Sequence, residues 1–152
     1  MPTMPAGDEL VLDSRLEEIR RLGPWLAEAL AHEGDDPAIA VLELVLVELV
    51  SNAIRHGHAG KAGHAIRLHL ERLGSSRIRV QIRDRGKPIP AEILDRHTHP
   101  LEFAVDDVGT LPESGLGLAM VQAAVDRFEY RTGPDADNVT VVEKALEGPQ
   151  GT

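Results

Sequence analysis

The fold turns on residues 36–57, DPAIAVLELVLVELVSNAIRHG. Asp36 is placed to cap free backbone N–H groups, and Pro37 suits a first helical turn. Gly57 is a natural helix terminator. Between them Ile39, Val41, Leu42, Leu44, Val45, Leu46, Val47, Leu49 and Val50 predict a helix that is apolar, and therefore buried, on nearly every side. Yet Glu48, Asn52 and His56 follow one another at single-turn intervals on one stripe. Burying a carboxylate and an amide without partners costs on the order of several kcal/mol. Something polar is expected to face them.

The bulk properties bound the rest. With 152 residues, 42% hydrophobic and 27% charged, the chain is long and apolar enough for one folded domain. Residues 8–147 are expected to form it, with 1–7 and 148–152 as flexible ends. Aromatics make up only 3%, so the core must be built from Leu, Val, Ile and Ala. A net charge of −9 and a pI near 5.2 argue against nucleic-acid and anionic membrane partners and leave room for basic proteins. The absence of cysteine excludes disulfides and thiolate metal sites. Glu43 and Glu48 interrupt the longest apolar run, so no membrane span is expected. The opening MPTMPAGDE has no basic or apolar leader region, and the expectation is a soluble cytoplasmic protein.

Upstream of the central helix, residues 9–13 suit a short strand. Leu16, Ile19, Leu22, Leu26 and Leu30 follow at helical spacing, broken near Gly23-Pro24. Downstream, residues 58–63 read as a loop, and two alternating runs follow, 65–73 and 77–84, joined by Gly74-Ser75-Ser76. Their alternation predicts antiparallel strands with one covered and one wet face. Residues 87–114 read as a long irregular segment, with a short helix near 91–96, of the kind that forms lids. Helical spacing returns over 115–127, and 128–131 and 139–146 are the last strand candidates.

Three separated pieces carry chemistry: E48-L-V-S-N52-A-I-R-H56-G57, D84-R85-G86-K87-P88-I89-P90 and E113-S114-G115-L116-G117-L118. Asn52 offers a neutral amide oxygen suited to Mg²⁺ beside phosphates. Glu48 is placed one turn earlier to accept a proton. Asp84 ends a strand with a carboxylate able to accept from an exocyclic amine, and Gly86 removes a side chain where a base would approach. Gly115 and Gly117 sit at the start of a helix, whose positive end suits phosphate. Each piece alone also has a plainer reading: a buried polar pair satisfied by backbone, a turn ending a strand, a helix start without ligand. His97 and His99 lack further metal ligands nearby.

In this order the three pieces resemble the N, G1 and G2 boxes of the GHKL ATPase superfamily, and most closely the anti-sigma-factor serine/threonine kinases of the RsbW type. The resemblance implies the Bergerat ATP-binding fold, an α/β two-layer sandwich with a mixed, mostly antiparallel sheet and helices on one face. It implies ATP or ADP and Mg²⁺ as cofactors, with Glu48 as general base and Asn52 as metal ligand. Arg55, His56, Asp84, Gly86, Pro88, Ile89, Ser114, Gly115, Leu116, Gly117, Leu118 and Thr140 would complete the nucleotide site. Residues 87–114 would hold the lid. Family members usually carry Gly-Thr entering the last strand, where this chain has Asn138-Val139-Thr140, and Arg96 is the nearest cation upstream of Gly115.

The implied function is protein serine/threonine kinase activity toward an STAS-type anti-anti-sigma partner, with a sigma factor held in turn and a homodimer as the family's frequent assembly. The alternatives are a nucleotide-dependent binding module that transfers no phosphate, and an ATPase clamp. A self-phosphorylating histidine kinase would need a helical hairpin to present His32, and the sequence offers none.

Overall fold

The computed structural model describes residues 7–91, 94, 113–133 and 137–148, with side-chain surroundings for 8–91, 94, 117–133 and 137–148. Strand β1 spans Gly7–Asp13, and a 3₁₀ turn at Leu16–Arg21 leads into helix α1, Leu22–Ala29. The break falls before Gly23-Pro24, not at it. Pro24 therefore sits in the first turn of α1, where a missing N–H costs nothing.

Helix α2 runs Pro37–Asn52. Asp36 Oδ1 accepts from the N–H of Ala38 at 3.0 Å, and the same carboxylate accepts from the N–H groups of Glu147 and Gly148. One aspartate thus starts the central helix and ties down the end of the last strand. Burial acts to raise its pKa, but those N–H bonds overcome it and leave the carboxyl below its ordinary value. After Asn52 the helix widens into one π turn, Ala53–Gly57. Such turns are uncommon and concentrate at functional sites.

Strands β2 (Ala65–Leu73) and β3 (Arg77–Asp84) form a hairpin. Helix α3 spans Glu113–Ala124, starting two residues before the expected Gly115. Strands β4 (Arg127–Thr132) and β5 (Asn138–Ala145) close the chain. The sheet order is β1-β2-β3-β5-β4. Among the described residues all four pairings are antiparallel, and the expected two-layer α/β sandwich forms with its helices on one face.

The core lies between sheet and helices. Leu42, Leu46 and Val50 of α2 are fully buried against Ile66, Leu68, Ile78 and Val80 from the sheet, and each such side chain is worth about 1.5–3 kcal/mol. At 21 residues, Pro37–Gly57 is long and apolar enough to cross a membrane, despite Glu43 and Glu48; half of it is buried inside the domain. The opposite sheet face is polar. There Arg77, Arg79 and Arg127 converge on the buried Glu143 at 3.3, 3.1 and 3.6 Å.

Candidate functional site: a cavity between the central helix and the ends of three strands

The end of α2, the end of β3 and the start of β5 enclose a cavity of about 250 Å³. Its helical wall carries Leu49, Asn52, Ala53, His56 and Gly57. Its floor is Ile82, Leu118 and Thr140, and its far side is Asp84, Lys87, Pro88, Ile89, Pro90, Tyr130 and Asn138. Apolar walls with a few convergent polar groups are the usual make-up of a small-molecule site.

Asn52 is 8% exposed, and among the described residues neither its Oδ1 nor its Nδ2 has a hydrogen-bond partner. Leaving a buried amide unmatched costs about 1–3 kcal/mol per group, so its partner is expected to be a ligand. A neutral, hard oxygen aimed into a cavity fits Mg²⁺ carried in with phosphate oxygens. Among the described residues there is no group of three or more His, Asp or Glu suited to a metal.

Glu48, one turn before Asn52, does not line the cavity. Its carboxylate lies against Gly117, so close that a Cβ on residue 117 would fall 1.8 Å from Oε2. A side chain at 117 would therefore push the Glu48 carboxylate out of its place, a reason for glycine additional to any phosphate contact. The expected reason for Gly86 also changes. A Cβ there would meet the carbonyl carbon and oxygen of Gly57 at 2.6 Å, and the next N–H, of Lys87, donates to Gly57 O at 2.7 Å. This pair of glycines seats the π turn on the loop after β3.

Asp84 sits where that loop begins. Its Oδ1 accepts from the N–H of Gly86 at 2.8 Å and from Asn138 Nδ2 at 3.1 Å. His58 Nε2 lies 3.7 Å from the same oxygen, buried and without a hydrogen-bond partner among the described residues. The His58 ring stacks on His64 with centroids 4.7 Å apart. Burial pushes the His58 pKa below its ordinary value; His64 adds to this, and Asp84 opposes it. Tyr130 Oη accepts from the N–H of Ile89 at 2.9 Å, fixing the proline-flanked strip that forms one lip. Burial raises the Tyr130 pKa.

Of the residues singled out from sequence, Asn52, His56, Asp84, Pro88, Ile89, Leu118 and Thr140 line the cavity, while Arg55, Gly86 and Gly117 do not. Ser114, Gly115 and Leu116 lie in the first turns of α3, with side chains outside the described residues. The lid segment, with Arg96, His97 and His99, falls largely outside them too. Lys87, Tyr130 and Asn138 were missed. Lys87 supplies a cation on the cavity lip, far from Gly115 in sequence, and Asn138 comes to the site through the register of β5 on β3.

The model of the histidine kinase-like ATPase domain family matches residues 12–143. The chain belongs to this family. It is 30% identical to the sensor histidine kinase AruS of Pseudomonas aeruginosa, over 89% of this chain but only 15% of AruS. Among solved structures it resembles the RsbU and RsbW domains of Rv1364c from Mycobacterium tuberculosis, with a TM-score of 0.65 and 23% identity, over 96% of this chain and 34% of that one. It also resembles the catalytic domain of histidine kinase ThkA, with a TM-score of 0.53 and 18% identity, over 96% of this chain and all of that one. At these identities the two likenesses are likenesses of fold.

Proposed function

We propose that the domain is an ATP-dependent protein serine/threonine kinase of the anti-sigma-factor type. Its substrate would be an STAS-type antagonist, and a sigma factor its alternative partner. The observation that carries the nucleotide reading is Asn52, buried and without a hydrogen-bond partner among the described residues, on the wall of a cavity that ends at the Asp84 carboxylate. The purine would lie at Asp84, and the phosphates would run past Asn52 toward Glu48 and the start of α3. The positive helix end suits phosphate there. Asn52 Oδ1 would hold Mg²⁺, which when bound neutralises charge on the transferring phosphoryl group. Glu48 would take the proton of the attacking serine as its oxygen bonds to the γ-phosphorus. The bond to the bridging oxygen breaks, and ADP leaves with that electron pair.

The likeness to the RsbU and RsbW domains supports this substrate class. The test is transfer of labelled phosphate from ATP to a cognate antagonist. Transfer that Glu48→Ala abolishes supports the assignment; transfer that Glu48→Ala leaves intact overturns the general-base role.

The identity with AruS favours a second reading, in which the phosphate goes to a histidine on another segment or chain. Acid stability of the labelled product separates the two. Phosphoserine survives acid, and phosphohistidine does not.

A further inference from the structure

Asn138 opens β5 and is 2% exposed. It stands opposite Asp84 on one side and Thr132 on the other in the antiparallel register. Its Nδ2 donates to Asp84 Oδ1 at 3.1 Å and to the Gly86 carbonyl at 2.8 Å. Its Oδ1 accepts from Thr132 Oγ1 at 3.2 Å. Only one orientation of the amide satisfies all three contacts. Asp84 Oδ1 is then held by two donors, Asn138 Nδ2 and the Gly86 N–H. Oδ2 has no hydrogen-bond partner among the described residues, on a side chain that lines the cavity.

We infer that Asn138 is a positioning residue that makes the site select a 6-aminopurine over a 6-oxopurine, an inference that rests on reading the cavity as a nucleotide site. With Oδ1 occupied and the carboxylate plane pinned, Asp84 offers one acceptor to the cavity at a set angle. An exocyclic amine donates to it. A 6-oxo group presents a second acceptor, and two facing acceptors repel. Freed from Asn138, the carboxylate can rotate away, and discrimination falls. A buried polar group that must find a matching donor is the strongest source of selectivity between isosteres.

The experiment is calorimetric titration of the parent chain, Asn138→Ala and Thr132→Val with Mg·ATP and with Mg·GTP. The parent should prefer ATP. Asn138→Ala should lower the ATP:GTP affinity ratio about tenfold, mostly through weaker ATP binding. Thr132→Val loosens Asn138 without touching Asp84, and should shift the ratio the same way by about threefold. Thr132 lies on the exposed edge strand, so this variant keeps the test usable should Asn138→Ala not fold. A parent ratio in the folded variants overturns the inference and leaves the nucleotide site standing. A parent that binds neither nucleotide overturns the nucleotide reading, and this inference with it.

Discussion

The Glu48 carboxylate and Gly117 Cα are in direct contact: the missing methyl group of residue 117 would lie 1.8 Å from Glu48 Oε2 and 2.3 Å from Cδ. The contact joins α2 to α3 at the point where the proposed base must be held. Gly117→Ala should therefore displace Glu48. We expect phosphoryl transfer to fall about 10²–10⁴-fold, the range general-base loss produces, and stability to drop by about 1–3 kcal/mol from overpacking. In a Glu48→Ala background the clash is gone, so the same substitution should cost little stability. Urea denaturation of the two singles and the double measures this coupling.

Gly86 and Gly57 make a second close approach, between backbones. A backbone cannot swing aside as a glutamate can. Gly86→Ala should thus destabilise by on the order of 3 kcal/mol in either background at position 48. It should also loosen the Lys87 N–H bond to Gly57 O, read as faster amide exchange at Lys87.

His58 gives the fold a pH dependence whose sign is set by burial. Its folded pKa lies below the ordinary value of 6.5. As pH falls below that value, the unfolded chain takes up a proton that the folded chain refuses, so stability declines. The groups facing the ring are Asp84, at the end of β3, and His64, in the loop before β2. His58→Gln should flatten the decline in urea midpoint between about pH 7.5 and pH 5.5. An undiminished slope would assign the effect to other groups.

Much of this was legible in the chain. The alternation in residues 65–73 and 77–84 marked β2 and β3 to the residue, because one sheet face is covered and the other wet. Asp36-Pro37 marked the start of α2, because capping chemistry is local. What stayed hidden depends on tertiary contact. The π turn at Ala53–Gly57 has no propensity signal of its own. Asn138 acquires its position only from the pairing of β5 with β3. Tyr130 read as an ordinary strand residue until the fold carried Ile89 across to it. The glycines at 86 and 117 were marked as special, but their neighbours, Gly57 and Glu48, lie on another element.

In the function proposed, Asn52 serves a metal-bound nucleotide in the cavity beneath α2. Calorimetric titration of ATP into the parent and into Asn52→Ala, with Mg²⁺ and then with EDTA, tests it most directly. The parent should bind ATP 1:1, Asn52→Ala should bind at least about tenfold more weakly in Mg²⁺, and the difference should be much smaller in EDTA. Equal affinity of the two proteins in Mg²⁺ would contradict it.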